Sequence, residues 1–344
     1  FASGRERGLS EEVSIFYWTT LEASAHYSFN KSHSFAYADL AAKTVFLKQN
    51  HSKEFFLSVL QCAEFDPEPL ETISLVSEEL NIYDVKLLPP CLYKSGFDFK
   101  IDGDNIRYGL RRIKGVSEKA IKSLLDFRGI SFTNRYEIFM GAKEAKIPIN
   151  ILCSLIQAGL LDHELENRSK MVFEAQTFNL LTDREKRNFV KLSPRLGFNI
   201  TKAITEARLN QVLADDGKPI ISEKRFKTFK EKFVKYNKMY EHNASIQMFA
   251  NWKYETELLG FSHSCDLKKC FHDKVKKISL GEEYIYLKDS KNYENFCCVS
   301  EVKDCFLTIS QNGRQYARLT MSDNTATKTF FLMTLAFIKS LYFC

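Results

Sequence analysis

The chain has no long hydrophobic run. None of its apolar stretches approaches the ~18–20 residues needed to cross a bilayer, which excludes a helical membrane span. It also lacks a dominant charge: 49 Lys and Arg stand against 43 Asp and Glu, a net charge of +6. An excess that small and that spread out permits a polyanionic partner without requiring one. The nine cysteines are odd in number and follow no repeating spacing. With no signal peptide in view, they read as free thiols in a reducing, cytoplasmic compartment. There is no low-complexity tract. Phe1 is not a Met and the other end is hydrophobic, so the expectation is a fragment with both ends cut. At 344 residues the length suits two or three domains of ~100–200 residues each.

Periodicity supplies the elements. Residues 9–26 read as a helix, with Leu9, Val13, Phe16, Tyr17 and Thr20 near helical spacing. Ser34 to Phe56 reads as a second helix, capped by Ser34, with Phe35, Leu40, Val45, Phe46 and Leu47 as its apolar surface. Pro67 and Pro69 precede a short helix over Leu70–Leu80, and Val85–Pro90 is extended and stopped by two prolines. Phe97–Leu110 alternates about an Asp-Gly-Asp-Asn turn, the pattern of a hairpin. A Gly-Val-Ser turn then leads into a helix with Ala120, Ile121, Leu124 and Leu125, and 147–162 repeats the theme and stops at Gly159. Residues 113–129 and 147–162 are the one suspected internal repeat. Residues 163–222 are weakly patterned. Lys224–Tyr240 places Phe226, Phe229, Phe233, Tyr236 and Tyr240 on one stripe of a basic helix. From Glu301 short alternating strands follow, with turns at Asn312-Gly313 and at Ser322–Thr325.

Several groups invite chemistry. Asn30, Lys31, Ser32 and His33 combine a cation, an imidazole and two short hydrogen-bonding side chains at the mouth of a helix, a set that could hold a phosphate; the plainer alternative is a capping loop. A tight glycine turn at Gly115 would aim backbone N–H groups at a phosphate oxygen without reading a base. Lys114, Lys119 and Lys122 would add phosphate contacts, against the alternative of a helical hairpin with solvated lysines. Asp102 and Asp104 form a carboxylate pair, but they sit in the predicted turn, where Asp is favoured for backbone reasons; a two-metal reading is rejected. His263, Cys265, Cys270 and His272 lack the paired spacing of a structural zinc site. No metal site is expected. The basic helix at 224–240 is read as a solvated face over a buried aromatic stripe, compatible with lying along a DNA backbone.

The order of these motifs resembles the C-family bacterial replicative DNA polymerases, the alpha subunit of DNA polymerase III, C-terminal part. The resemblance lies in FASGRERG, in HYSFNKSHSFAYADLAAKTVFLKQNHSKEFFLSVL, in VKLLPPCLYKSGFDFKIDGDNIRYGLRRIKGVSEKAIKSLL, in INILCSLIQAGLLD and in YETELLGF. It covers residues 1–162 well, 163–250 poorly and the remainder moderately. It implies a multidomain α+β fold: the end of a mostly helical fingers domain over 1–112 and a tandem helix-hairpin-helix unit over 113–162. A helical connecting region over 163–275 would follow, then a truncated OB-type β-barrel over 276–344. Asn30, Lys31, Ser32 and His33 would face the incoming nucleotide and primer-template. Lys114, Gly115, Val116, Ser117, Lys119 and Lys122 would bind the DNA backbone.

The family's palm carries a Pro-Asp-x-Asp-x-Asp type motif that holds two metals for attack of the primer 3′-hydroxyl on the nucleotide α-phosphate. No such motif occurs in these residues, so the resemblance implies no catalytic residue on this chain. It places Mg2+ on an absent palm and makes the isolated chain inactive. The implied partners are duplex and single-stranded DNA, deoxynucleotide triphosphates, a sliding clamp and other replisome subunits, with no membrane. The chain departs from the family at Ser117, where Gly is usual, and after Phe261, where a Gly and a Pro are lost. Two weak matches to a clamp-binding peptide, at Gln176 and Gln247, read as ordinary helix surface. Only three strands of the five-stranded barrel are plain, with 335–343 as a further candidate. The divergence, and a composition rich in Lys, Phe and Asn, fit a phage or an unusual bacterium. The alternative function is a stand-alone DNA-binding accessory module without catalysis.

Overall fold

The computed structural model describes the chain except residues 1, 26–30, 130–131, 165, 209–212, 274–283, 292–295, 311, 314, 324 and 333–344. The chain divides into two units, Phe1–Phe55 and Phe56–Cys344.

The first unit is helical, with α1 (Ala2–Glu6), α2 (Glu11–Ala25) and α3 (Lys31–Asn50). Helix α3 begins three residues before Ser34, which therefore lies inside the helix and does not cap it. The helix ends at Asn50, and α4 (Ser52–Cys62) follows His51 as a separate helix. The expected apolar surface of α3 is not covered: Phe35, Leu40, Val45 and Phe46 are all exposed, and no residue of α3 is buried. Phe35, Leu40 and Val45, five residues apart, step about 140° round the helix each time and mark no single apolar face, and among the described residues of this unit none of them is covered.

The second unit carries the core. Pro69 stands at the first position of α5 (Pro69–Leu80), where its missing N–H costs nothing. Three short strands, β1 (Leu87–Leu88), β2 (Lys100–Asp102) and β3 (Asn105–Arg107), form a sheet of order β1-β3-β2. Strands β2 and β3 are the expected hairpin, with Gly103 at φ 65° in its turn. Asp102 accepts from Arg107 Nε at 2.5 Å, so its carboxylate braces the hairpin and stays below the usual carboxylate range.

Six helices follow: α6 (Glu118–Phe127), α7 (Arg135–Glu144), α8 (Ile149–Gln157), α9 (Arg168–Asn179), α10 (Asp183–Leu192) and α11 (Ile200–Arg208). Their starts are written locally. Asn134 Oδ1 accepts from the N–H groups of Tyr136 and Glu137, Asn167 Oδ1 from those of Ser169 and Lys170, and Thr182 and Glu185 form a reciprocal capping box. Between α7, α9 and α10 the rings of Tyr136, Phe139, Phe178 and Phe189 meet edge-on and tilted, with centroids 4.8 Å apart for Tyr136–Phe189 and 5.6 Å for Tyr136–Phe139. Such pairs contribute about 0.5–1.5 kcal/mol beyond their buried area.

Helix α12 (Glu223–Ser245) lies on α9 through the predicted aromatic stripe: Phe226 and Phe229 are buried, and Phe233 and Tyr240 flank Phe173 at 5.9 and 5.5 Å. Helices α13 (Gln247–Leu259) and α14 (Leu267–Cys270) lead to three antiparallel strands, β4 (Glu301–Ile309), β5 (Gln315–Ser322) and β6 (Thr327–Leu332), in the order β4-β5-β6. Among the described residues this sheet does not close on itself. The further strand candidate at 335–343 lies outside the described residues. No helix among them is long and apolar enough to cross a membrane.

Candidate nucleic-acid interface

The turn at Gly115 is built by position. Gly115 has φ +80°, a left-handed conformation that L side chains resist, and a Cβ added there would meet nothing within 4 Å. The glycine is therefore required by conformation, and the space beyond it is open. Ser117 caps α6, its Oγ accepting from the Ala120 N–H at 3.4 Å. The N–H groups of Glu118 and Lys119 fall in the first turn of α6, where no intrahelical acceptor exists. Lys114, Gly115, Ser117, Lys119 and Lys122 are all exposed and Val116 is half-buried, while Ala120, Ile121 and Leu124 turn inward. The six residues expected to meet a DNA backbone thus share one turn and the start of one helix.

The expected geometry needs two corrections. The element before Gly115 is a single 3-10 turn, Leu110–Arg112, and not a full helix. The internal repeat also has a different register. The partner of the Gly115 turn joins α7 to α8, where Lys146 adopts φ +58°, Ile147 is buried and Pro148 occupies the N-cap of α8. Gly115, Val116 and Ser117 correspond to Lys146, Ile147 and Pro148, and buried Ala120, Ile121 and Leu124 to buried Ile151, Leu152 and Leu155. Gly159 instead ends α8: its N–H donates to Ile156 O, and that of Leu160 donates to Leu155 O. A lysine at a left-handed position hid the second turn, because a glycine is the usual signal there.

Residues that sequence reasoning did not single out hold the first turn in place. The Lys114 N–H donates to Leu258 O at 3.0 Å. Arg112 bonds Asp98 through Nε and Nη2 at 3.1 and 3.0 Å and also donates to Gln61 O at 2.8 Å. Arg111 pairs with Glu64. Tyr108, fully buried, sets its hydroxyl 3.0 Å from Leu259 O and 3.2 Å from Arg112 O, and burial pushes its phenol far above the usual tyrosine range. The two arginines preceding the turn are therefore consumed by acids and carbonyls, and the lysines are the cations that the turn presents to solvent.

In the other unit, Lys31, Ser32 and His33 occupy the first turn of α3 and are exposed, with the His33 ring 4.4 Å from that of Tyr37. Asn30 lies outside the described residues. Of the zinc-like set, the two histidines have partners of their own, while the Cys265 and Cys270 thiols interact with each other. His263 is against Glu255, Cys265 Sγ donates to Met248 O at 3.0 Å, burial pushes the Cys270 thiol up to about 12, and His272 Nδ1 is 2.9 Å from Tyr284 Oη. Among the described residues no three His, Cys, Asp or Glu side chains gather to hold a metal. Of the two clamp-peptide candidates, the one at Gln176 is packed away, with Thr177, Phe178 and Leu181 buried. Ile246 and Met248, beside Gln247, are exposed.

Residues 84–171, which contain both turns, match the helix-hairpin-helix motif. The chain is 34% identical over 175 residues to the DNA polymerase III subunit alpha of Aquifex aeolicus (strain VF5), covering 48% of this chain and 14% of that protein. It is 34% identical over 160 residues to the same subunit of Thermus aquaticus, covering 46% and 13%. Against that of Campylobacter jejuni subsp. jejuni serotype O:2 it is 26% identical over 329 residues, covering 94% of this chain and 25% of the other. The resemblance read from the motifs holds: the chain is similar to part of the DNA polymerase III alpha subunits. It spans a quarter or less of the length of these three relatives.

Proposed function

We propose that this chain works as part of a replicative DNA polymerase and holds duplex DNA by its sugar-phosphate backbone. The carrying observation is the open turn at Gly115, flanked by exposed Lys114, Lys119 and Lys122 and presenting the N-terminal end of α6. Backbone N–H groups and lysines recognise phosphate and not base edges, so the grip would be indifferent to sequence and would weaken steeply with salt. The turn at Lys146 would contact a second phosphate along the same duplex.

In the complete polymerase, Lys31, Ser32 and His33, with Asn30, would face the incoming deoxynucleotide triphosphate and the primer-template, Lys31 offsetting phosphate charge. The joining reaction, attack of the primer 3′-hydroxyl on the α-phosphate, would take place on Mg2+ held elsewhere in that polymerase. The described residues offer no fitting cluster, so no step is assigned to them. The open sheet β4–β6 is read as part of an OB-type barrel. Its exposed Phe306, Arg318 and Phe331 stand in cross-strand register, a platform on which single-stranded bases would stack. A sliding clamp and other replisome subunits complete the proposed partners.

The test is binding of a labelled mixed-sequence duplex to the full chain across a salt series. Gly115→Val combined with Lys119→Ala should weaken binding at every salt while leaving the circular dichroism unchanged. Undiminished binding by that variant, or strong preference for one duplex sequence, would overturn the reading.

A further inference from the structure

Helix α12 concentrates charge that the rest of the chain does not balance. Seven cations stand against three carboxylates over Glu223–Ser245, in a chain whose whole excess is +6. The cations divide by face. Arg225 turns inward, donating to Leu180 O at 2.7 Å and lying 3.5 Å from Glu185 and 5.1 Å from the Phe229 ring centroid. Lys224, Lys227, Lys235 and Lys238 turn the other way. At 100° per residue they fall on the side opposite Phe226, Phe229, Phe233 and Tyr240, and all four are exposed. Among the described residues none of the four side chains makes a hydrogen bond or an ion pair. Glu231 lies four residues from both Lys227 and Lys235, the spacing at which opposite charges meet on a helix, and it pairs with neither.

The helix is also held firmly. Its aromatic stripe interlocks with Phe173 of α9, and Asn243 Nδ2 ties its last turn to Tyr254 Oη of α13 at 2.8 Å. Lys224 to Lys238 spans about 21 Å of helix at 1.5 Å per residue. That equals about six phosphate steps along one strand of B-DNA at ~3.4 Å each. A rigid, straight row of unpaired ammonium groups of that length complements a regularly spaced polyanion.

We infer that the solvent face of α12 is a second duplex-DNA contact, in which Lys224, Lys227, Lys235 and Lys238 line the sugar-phosphate backbone and Glu231 weakens the hold. The inference rests on the reading of the chain as a DNA-holding part of a polymerase and extends that reading beyond the helix-hairpin-helix turns. A row of this kind lengthens the stretch of duplex held without adding sequence preference. The acid in its midst keeps the grip loose enough for the duplex to slide, since each phosphate left unneutralised or opposed reduces the salt-dependent part of the affinity.

The experiment measures anisotropy of a fluorescent mixed-sequence duplex with the full chain over a salt series. It compares the wild type, the Gly115→Val, Lys119→Ala turn variant, a quadruple Lys224→Ala, Lys227→Ala, Lys235→Ala, Lys238→Ala variant, the quadruple Lys→Arg counterpart, and Glu231→Gln. The quadruple Ala variant should lower the steepness of log affinity against log salt by about 0.9 for each phosphate no longer neutralised. The Arg version should keep it, and Glu231→Gln should bind more tightly than wild type. Alanine is the strongest helix former, so helical content should not fall; if it does, Glu231→Gln alone decides. Wild-type steepness in the Ala variant, with weakened binding in the turn variant, overturns this inference and leaves the turn reading standing. Weakened binding in the α12 variant alone supports the inference and overturns the turn. A wild type that ignores duplex and instead binds a polyglutamate peptide overturns both.

Discussion

Arg168 and Glu255, 87 residues apart in sequence, meet with Nη1 2.5 Å from Oε1, both side chains buried. Arg168 also forks onto Asp162 through Nε at 2.8 Å and Nη2 at 2.5 Å. Glu255 accepts from Ser262 Oγ at 2.7 Å and from the N–H groups of His263 and Ser264 at 2.8 and 3.1 Å. A desolvated pair is tolerable only when its remaining donors and acceptors are met, and here they are. Burial opposes the Glu255 charge, but His263, Arg168 and the Ser264 N–H together hold its carboxyl below the usual range. The cluster joins the end of α8, the start of α9 and the loop after α13, and so it braces the strand of chain whose Leu258 carbonyl holds the Lys114 N–H.

Breaking this pair from one side leaves a buried charge uncompensated. Arg168→Met should cost about 3–5 kcal/mol in urea denaturation. The double variant Arg168→Met, Glu255→Gln should recover part of that loss. A loss under about 1 kcal/mol, the size of an exposed pair, would show that water enters the cluster.

His263 gives the same cluster a pH dependence. Burial lowers its pKa below 6.5, and the Arg168 charge adds to that, against the raising influence of Glu255 and Asp162. The unfolded chain then binds a proton near 6.5 that the folded chain refuses until lower pH. Stability should therefore fall as pH drops through about 6.5 toward the folded value. His263→Gln should flatten the thermal midpoint across that window. An unchanged slope in the variant would assign the effect to other groups.

Two glycines should respond for different reasons. Gly109 has an ordinary φ of −83°, but a Cβ there would sit 2.3 Å from the Asp98 carbonyl carbon and 2.4 Å from the Phe99 nitrogen, both backbone. Gly109→Ala should cost about 1–3 kcal/mol or more through forced displacement. Gly115→Ala meets open space and should cost about 1 kcal/mol, from its left-handed backbone alone. Chemical denaturation of both variants checks the order; a Gly115 loss larger than the Gly109 loss would refute it.

Tyr108→Phe removes one hydroxyl and strands the buried carbonyl of Leu259 and the part-buried carbonyl of Arg112. The expected loss is about 1–3 kcal/mol. Amide exchange at Lys114 should rise with it, because the Leu258–Gly260 segment loses its second tie to this region.

Lys31→Ala with His33→Ala, placed in a complete polymerase, should lower nucleotide incorporation more than duplex retention. Steady-state incorporation and gel retention on the same preparations separate the two. Equal losses would mean that the first turn of α3 serves shape alone.

Much of the local structure was legible because it is set by short-range chemistry. Asp102-Gly103-Asp104 turns where predicted, a helix follows the Gly-Val-Ser turn as expected, and Gly159 ends α8 through its left-handed backbone. The aromatic stripe of α12 is buried on one side, as a spacing of three and four residues requires. The second turn, at Lys146, was hidden because packing of Ile147 forces a left-handed conformation on a residue with no intrinsic preference for it. The apolar residues Phe35, Leu40 and Val45 of α3 mark no single face at their spacing of five, and among the described residues of its unit they stay uncovered. No local pattern could bring Arg168 to Glu255, Tyr108 to Leu259 or Lys114 to Leu258. Those meetings depend on how α8, α9 and α13 pack, where the cost of burying a charge or a carbonyl selects among partners far apart in the chain. The sequence by itself determined the turns at Gly103, Gly115 and Gly159 and which residues flank Gly115. Tertiary structure alone decided which cations are spent on internal acids and which remain facing water, because neutralisation depends on distance in space and not on order along the chain.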